Sequence, residues 1–224
     1  MAQQIPLNIK LRDDATFDNF YPGDNEQLLF ALKERQELYL YISGIQGTGK
    51  THLLQAVCHE MGNQGEPLAY LPLGEAEIVP DMLNGLEMLS HIMLDDIHLV
   101  AGNPDWEIAI FNLYNKARET GSRLIVSADR PVLSLDVQLP DLHSRLTWGP
   151  VFQLIGLNEE EKLKALQFRA HNRGLFLADE VASYILKRLP RDMTSLFQFL
   201  DKLDKASMVE KRKLTIPFVK DYLC

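Results

Sequence analysis

Hydrophobic and polar residues follow two different patterns along the chain, and the change of pattern divides it in two. In the first part, short and nearly continuous apolar runs are typical of β-strands buried on both faces of a sheet, and they occupy residues 38–42, 68–73, 91–97, 123–127 and 151–155. Between these runs, apolar residues recur with helical spacing over 51–61 and 105–120. Strands that alternate with helices predict an α/β fold, in which a parallel sheet is covered by helices on both faces.

From Asn158 onward the pattern is helical only. Asn158 and Glu161 have the spacing of a capping box, which predicts a helix over 159–173. Further helices are predicted over 179–189, from Asp192 onward and after Thr215. The sequence therefore predicts three parts: an extended N-terminal arm at 1–12, an α/β domain at 13–157 and a small all-helical lid domain at 158–224.

Composition narrows the class of protein. The chain has 224 residues, of which 46% are apolar and 24% are charged, as in an ordinary globular protein. The net charge of −8 argues against a generally basic surface, so strong direct DNA binding is not expected. Two cysteines, Cys58 and Cys224, are too few for a disulfide framework and favour a reduced, cytoplasmic setting. No apolar run approaches the ~20 residues of a membrane span, so neither a membrane segment nor a secretory signal is expected.

A candidate phosphate-binding loop lies between the first predicted strand and the first predicted helix. Residues 44–51 read GIQGTGKT and match the pattern G-x-x-x-x-G-K-[ST]. Glycines allow main-chain N–H groups to surround phosphate oxygens, and the following helix adds the positive end of its dipole. Lys50 is expected to reach the outer phosphates, and the Thr51 hydroxyl is expected to bind Mg²⁺. The predicted nucleotide-contacting residues of this loop are Gly44, Gln46, Gly47, Thr48, Gly49, Lys50 and Thr51.

Two acidic residues, Asp95 and Asp96, follow the apolar part of the third predicted strand. An acid at the carboxyl end of a buried strand is where a P-loop protein holds its metal. Asp95 is therefore predicted to orient Mg²⁺ through water, and Asp96 is predicted to polarise an attacking water. A solvated turn at the end of the strand is the alternative for these two residues.

Two further polar positions each allow a structural and a functional interpretation. Ser127 and Asp129 close the fourth predicted strand, where a polar side chain can sense the outer phosphate or position water. The Asp-Arg-Pro sequence that begins at Asp129 is also typical of a turn. Arg145, in a short predicted helix, is either an exposed charge or an arginine finger that reaches the nucleotide of a neighbouring molecule.

Five segments resemble motifs of the AAA+ family and, within it, of the bacterial replication initiator DnaA: TFDNF at 16–20, GKTHLL at 49–54, LDDI at 94–97, SADR at 127–130 and SRLTWG at 144–149. The resemblance implies the AAA+ P-loop fold with a helical lid, and a bound ADP or ATP with Mg²⁺. It adds Phe20, His52 and Asp129 to the nucleotide-contacting residues. It also implies that Arg145 is a finger acting in trans.

One position departs from the family. The family places an arginine that contacts the outer phosphates in the third lid helix, and this chain has Thr194 at that point. Thr194 is therefore the cofactor-contacting position that the resemblance implies for the lid. Either Arg191, three residues earlier, supplies the missing positive charge, or no residue of the lid does. The preference for ATP over ADP therefore stays open.

Among DnaA-like proteins, the chain resembles the DnaA-homologous regulators that inactivate the initiator. These regulators carry a clamp-binding motif ahead of the AAA+ domain. Residues 4–9 are similar to its Q-L-x-L-x-L form, and the predicted clamp-binding residues are Gln4, Ile5, Leu7 and Ile9. The resemblance implies two partners, the DNA polymerase sliding clamp and DnaA, and no C-terminal DNA-binding domain. A frayed terminus or an edge strand is the alternative for residues 4–9.

Three functions are compared. The first is a cytoplasmic regulator associated with the nucleoid or replisome, which carries ADP and promotes hydrolysis of initiator-bound ATP, with a weak or absent ATPase activity of its own. The second is a stand-alone AAA+ ATPase of the helicase-loader or DNA-remodelling type, in which Asp96 acts on ATP bound to the same chain. The third is a small-molecule kinase, which would need an acceptor pocket that this sequence does not supply. The first is favoured, and whether the protein forms a homo-oligomer is left open.

Overall fold

The computed structural model describes residues 11–223, and its centre is one sheet of five strands. The strands are β1 (Tyr39–Ser43), β2 (Leu68–Pro72), β3 (His91–Asp95), β4 (Arg123–Ala128) and β5 (Val151–Gln153), in the spatial order β2-β3-β4-β1-β5. All four neighbouring pairs are parallel, and every residue of β3 and β4 is buried. The predicted α/β fold with a parallel sheet is confirmed. The predicted clamp-binding residues Gln4, Ile5, Leu7 and Ile9 lie outside the described residues.

Helices cover both faces of the sheet. They are α1 (Glu26–Glu34), α2 (Lys50–Asn63), α3 (Pro104–Thr120) and α4 (Pro140–Arg145). One face packs on α1 and α2 through side chains such as Leu32 and Val57, and the other packs on α3 and α4 through side chains such as Ile110 and Leu142. The apolar pattern does not predict α1, because only Leu28 and Leu32 of its nine residues are buried. Within residues 11–223, no helix is long and apolar enough to span a membrane.

The remaining helices form a lid with a hydrophobic core of its own. They are α5 (Glu159–Asn172), α6 (Asp179–Leu186), α7 (Met193–Glu210) and α8 (Ile216–Tyr222). Side chains from all four helices meet in that core, among them Leu166, Ile185, Leu200 and Phe218. The predicted capping box is present, since the Asn158 and Glu161 side chains each accept the other residue's main-chain N–H, at 3.0 and 2.8 Å. The helical lid is confirmed, while the domain limits 1–12, 13–157 and 158–224 stay predictions.

Several element bounds differ by a few residues from the predicted ones, and two of these differences have a clear physical cause. The fifth strand is predicted over 151–155 but ends at Gln153. The main chain of Ile155 bonds instead to the buried Asn25 side chain, donating to Oδ1 at 2.7 Å and accepting from Nδ2 at 3.0 Å. The helix predicted over 179–189 ends at Leu186, because a proline at 190 has no N–H to bond to the carbonyl of residue 186 and its ring clashes with that carbonyl in a helix.

Polar contacts join the lid to the α/β domain. Arg169 of α5 is buried and donates from Nη2 to the carboxylate of Asp14. Asn172, also in α5, donates to the main-chain oxygen of Asp18 at 2.7 Å. Because Asp14 and Asp18 precede the sheet and Arg169 lies 155 residues after Asp14, these contacts fix the lid against the beginning of the α/β domain.

We predict that Asp14→Asn weakens the connection between the lid and the α/β domain. Burial alone raises the pKa of Asp14, but hydrogen bonds from Arg169 and Arg12 outweigh it and lower this pKa from 3.8 to about 2. A carboxyl whose pKa falls on folding stabilises the fold above its ordinary pKa and loses that contribution as the pH drops towards about 2. The substitution should therefore cost ~1–2 kcal/mol of unfolding free energy at neutral pH, and less in acid.

Urea unfolding at about pH 7 and about pH 3 measures this difference. The matched control is Asp13→Asn, because Asp13 is exposed and its replacement should change stability by less than about 0.5 kcal/mol. Equal stability of Asp14→Asn and the wild-type protein at neutral pH would contradict the prediction, as would a difference that does not shrink in acid.

Candidate functional site

The loop between β1 and α2 has the backbone that its glycines predict. Gly47 and Gly49 have φ angles of 83° and 107°, in the left-handed region that glycine adopts without strain. Gly49 is also sterically required, because a Cβ there would lie 2.8 Å from Cε2 of Phe20. Phe20 therefore packs directly on the loop, at the N-terminus of α2.

Lys50 is held at the inner side of this loop. Its side chain is 7% exposed, and its Nζ donates to the main-chain oxygen of Gly44 at 2.7 Å. The same Nζ lies 4.0 Å from Oδ1 of Asp96. An ammonium group has three donors, so Lys50 keeps N–H groups for an anion beside the loop.

The carboxylate of Asp95, buried at the end of β3, is the centre of a hydrogen-bond cluster. Its Oδ2 accepts from Thr51 Oγ1 at 2.7 Å and from the Tyr70 hydroxyl at 2.8 Å, and its Oδ1 accepts from the Ser127 hydroxyl. Ser127 Oγ in turn accepts the main-chain N–H of Asp96 at 2.9 Å. Ser127 is thus a hydrogen-bond partner of Asp95 inside the fold. The sequence alone allowed either a phosphate-sensing role or a turn at this position.

Asp96 occupies a position that costs stability. Its φ of 59° is unusual for a residue with a side chain. Burial raises the pKa of its carboxyl, and the charge of Asp95 raises it further, against opposing effects of Lys50 and His98. A perturbed carboxyl in such a place is typical of a functional site.

Asp129 faces Asp96 across His98. The imidazole Nδ1 lies 3.8 Å from Oδ1 of Asp96, and Nε2 lies 3.7 Å from Oδ2 of Asp129. Asp129 also pairs with Arg130 at 2.7 Å, and the Tyr41 hydroxyl donates to the main-chain oxygen of Arg130 at 2.8 Å. The Asp129 side chain thus belongs to the bend after β4 and at the same time lines the neighbouring cleft.

A cleft of about 870 Å³ lies between the loop and the lid, and its size suits a nucleotide. Its walls bring together most of the predicted cofactor-binding residues and one predicted catalytic residue: Phe20, Gln46, Gly47, Thr48, Gly49, Lys50, Thr51, His52, Asp129 and Thr194, with Asp96. Gly44 and Asp95 are buried behind this wall. Most of the residues that the sequence singles out therefore meet at one place.

The lid contributes an arginine that the sequence does not single out. Arg191 pairs with Glu159 at 3.4 Å, is 66% exposed and does not line the cleft. Arg169 does line the cleft, and its charge is balanced by Asp14 and, at 3.8 Å, by Asp201. The sequence could have identified Arg169 by one feature: it is a charged residue within the otherwise apolar face of α5.

Three further residues of the site lie outside the recognised motifs. Tyr70 reaches Asp95 from the neighbouring strand, His98 separates two carboxylates, and Asn25 closes the linker before the lid. Polar side chains of this kind are common on any surface, so the sequence carries no specific signal for them. Their roles follow only from the strand order and from the path of the linker.

Arg145, the last residue of α4, does not line the cleft. Its Nε donates to Oδ1 of Asn115 at 3.0 Å, and its guanidinium carbon lies 4.0 Å from the ring centroid of Trp148 and 5.4 Å from that of Phe111. The side chain is half-buried. Arg145 is therefore held in a defined orientation, unlike a free surface charge.

The groups at the loop suit a nucleoside phosphate with Mg²⁺. Lys50 and the N-terminus of α2 favour an anion, and the Thr51 hydroxyl is an oxygen ligand of the kind that Mg²⁺ prefers, with Asp95 behind it. Among the described residues, no three His, Cys, Asp or Glu side chains are grouped so that they could hold a metal by themselves. The site therefore fits a metal that completes its shell with phosphate oxygens and water.

Two family models together match nearly the whole of the described chain. The model of the bacterial DnaA ATPase domain matches residues 11–153. The model of the Hda lid domain matches residues 159–223.

Solved structures of DnaA are similar to this chain. Domain III of the Thermotoga maritima replication initiation protein DnaA has 20% sequence identity and a TM-score of 0.75, over 96% of this chain and 99% of that one. AMPPCP-bound DnaA from Aquifex aeolicus has 25% identity and a TM-score of 0.70, over 82% of this chain and 64% of that one. A DnaA bound to AMPPCP and single-stranded DNA has 23% identity and a TM-score of 0.72, over 88% of this chain and 66% of that one. This chain thus spans slightly less than two thirds of the length of the last two.

We predict that Asp96→Asn stabilises the nucleotide-free protein. The folded state raises the pKa of Asp96, so the charged carboxyl destabilises the fold increasingly as the pH rises above its ordinary value of 3.8. Asparagine removes that charge and tolerates a positive φ. The melting temperature should rise by about 2–4 °C at neutral or alkaline pH, and the gain should disappear in acid.

Calorimetry at about pH 8 and about pH 4 tests this prediction, with exposed Asp81 replaced by asparagine as the control. A lower melting temperature for Asp96→Asn at the higher pH would show that the carboxylate stabilises the fold, contrary to the prediction.

Proposed function

Because the chain belongs to the bacterial DnaA ATPase domain family and its lid matches the Hda lid domain, we propose that it regulates the initiation of bacterial DNA replication. In this proposal the protein carries a nucleotide, docks on the sliding clamp and promotes hydrolysis of ATP bound to the initiator DnaA. The observation that carries the proposal is the position of Arg145, which is oriented by its neighbours yet lies away from the cleft of its own chain.

The cleft is proposed to bind one adenine nucleotide with Mg²⁺. The similar DnaA structure from Aquifex aeolicus is bound to AMPPCP, which supports an adenine nucleotide as the ligand of the present chain. Lys50 and the loop N–H groups would bind the phosphates, Thr51 would contact Mg²⁺, and Asp95 would hold a water in its shell. When bound, the metal neutralises charge on the phosphate oxygens.

The charges around the cleft favour ADP over ATP. Thr194 is neutral where the family has an arginine, and the charge of Arg169 is already balanced by two carboxylates. Asp96 and Asp129 add negative charge to the same cleft. Apart from Lys50, these side chains offer a third phosphate little compensation, which supports a resting ADP-bound form and a weak or absent ATPase activity.

Arg145 is proposed to act on the nucleotide of the initiator. In the described residues only its Nε takes part in a hydrogen bond, so the two terminal nitrogens remain for phosphate oxygens. The contacts with Asn115 and Trp148 fix the plane of the guanidinium before any partner binds. An arginine supplied in trans accelerates phosphoryl transfer by ~10³–10⁵ because it stabilises charge that develops in the transition state.

The sliding clamp is proposed to bind residues 4–9, with Gln4, Ile5, Leu7 and Ile9 entering a groove. The chain that follows is anchored: the main chain of Arg12 donates to Gln55 Oε1 at 3.1 Å and contacts His59 Nε2 at 2.9 Å. A fixed starting point next to the α/β domain supports an arm that reaches a partner while the domain stays in place.

A stand-alone ATPase is the second candidate, and one observation favours it. Asp96 lines the cleft and lies 4.0 Å from Lys50, where it can act on ATP bound to the same chain. Rapid ATP turnover by the isolated protein would support this candidate over the regulator.

We predict that Arg145→Ala and Arg145→Lys both abolish stimulation of DnaA ATP hydrolysis, by roughly 10³-fold, without changing clamp or nucleotide binding. Lysine should fail because a point charge does not replace a planar fork. The matched control is Arg188→Ala, since Arg188 is an arginine of the lid that also stacks on an aromatic ring, at 5.5 Å from Tyr184.

The measurement is phosphate release from ATP-loaded DnaA in the presence of clamp on DNA. Wild-type stimulation by Arg145→Ala would exclude Arg145 as the finger. Loss of stimulation in the Arg188 control would show that the assay reports general damage.

We predict that the double substitution Gln4→Ala with Leu7→Ala weakens clamp binding by about tenfold or more, as expected for the loss of two anchoring side chains. The melting temperature should not change, because residues before the first packed element contribute little stability. Surface plasmon resonance on immobilised clamp measures the affinity, with Gln3→Ala as the neighbouring control. Unchanged clamp affinity would contradict the assignment of this arm.

A further inference from the structure

A chain of hydrogen bonds leads from the beginning of the α/β domain to Asp95. The main-chain N–H of Arg12 donates to Gln55 Oε1 at 3.1 Å, and Gln55 Nε2 donates to the Tyr70 hydroxyl at 3.4 Å. That hydroxyl donates to Asp95 Oδ2 at 2.8 Å. Gln55 is buried, and neither it nor Tyr70 belongs to a P-loop motif.

The direction of each bond in this chain is determined by its neighbours. The Arg12 N–H can only donate, so it selects the oxygen of the Gln55 amide and turns the amide nitrogen towards Tyr70. The Tyr70 oxygen accepts from that nitrogen, and its single proton therefore points to Asp95.

Tyr70 also completes the set of donors that orients Asp95. Thr51 donates from α2 and Ser127 from β4, while Tyr70 donates from β2 on the opposite side of β3. Thr51 and Tyr70 share the same carboxylate oxygen. Without the Tyr70 hydroxyl, Oδ2 of Asp95 would accept a hydrogen bond from Thr51 only. The carboxylate and the Thr51 hydroxyl could then rotate together.

We propose that Tyr70, oriented by Gln55, is a positioning residue that holds the Asp95 carboxylate and the Thr51 hydroxyl in the arrangement that Mg²⁺ requires beside a bound nucleotide. The inference rests on the proposed nucleotide site and adds residues to it. Groups that orient metal ligands contribute about 10–100-fold to metal affinity. Tyr70 should therefore act on the magnesium-dependent part of nucleotide binding and leave the phosphate contacts of Lys50 intact.

The test is titration calorimetry of ADP into the full-length protein, once with saturating Mg²⁺ and once with EDTA. In the wild-type protein, Mg²⁺ should raise ADP affinity. In Tyr70→Phe this gain should fall by about tenfold or more, with affinity in EDTA within about twofold of wild type. Gln55→Met, which keeps the volume but frees the Tyr70 hydroxyl, should reduce the gain by a smaller factor. The matched control is Tyr39→Phe, since its buried hydroxyl has no hydrogen-bond partner among residues 11–223.

Each other outcome overturns the inference in a different way. A Tyr70→Phe protein with the full Mg²⁺-dependent gain would show that Tyr70 does not position the metal ligands, while the nucleotide site would stand. Equal losses of affinity in Mg²⁺ and in EDTA would assign Tyr70 a general structural role. A wild-type protein that binds ADP equally well with and without Mg²⁺ would also exclude the inference, and failure to bind ADP at all would overturn both the inference and the proposed site.

Discussion

The buried carboxylate of Asp95 is the charge on which the arrangement of the site depends. An ionised carboxylate costs several kcal/mol to bury unless hydrogen bonds compensate it. Here the donors come from three different elements: Thr51 from α2, Tyr70 from β2 and Ser127 from β4. The order of strands around β3 and the close approach of the loop to the sheet are both needed to bring these donors together. The fold and the candidate metal site are therefore stabilised by the same contacts.

Two surfaces of the molecule carry separate chemistry. The cleft between the loop and the lid combines Lys50 and Thr51 with the carboxylates of Asp96, Asp129 and Asp201. The lid is joined to the α/β domain there by buried Arg169 and half-buried Asp14. Arg145 lies elsewhere, held by Phe111 and Asn115 of α3 and by Trp148. A nucleotide in the cleft would stabilise the union of lid and α/β domain, while Arg145 remains available to another molecule.

The sequence predicts the features that depend on local patterns. Continuous apolar runs identify β3 and β4, and the GIQGTGKT segment identifies the loop, because each is a contiguous signal. Features that depend on distant partners are not predicted. Arg169 is compatible with its apolar surroundings because carboxylates distant in the chain pair with it, among them Asp14, 155 residues away. The fifth strand stops early because the Asn25 side chain captures the main chain of Ile155. The clamp-binding arm, the finger and the nucleotide contacts remain predictions from motifs.

The proposed regulator acts on a nucleotide other than its own, and differential labelling measures whose nucleotide is hydrolysed. DnaA loaded with ATP labelled at the γ-phosphate is mixed with the protein carrying unlabelled nucleotide, on clamp-loaded DNA, and the reverse labelling is run in parallel. Labelled phosphate should be released rapidly when the label is on DnaA, and not above background when the label is on this protein. Release of phosphate from the nucleotide carried by this protein, with the DnaA label retained, would exclude the proposed regulation and identify the cleft as the site of hydrolysis.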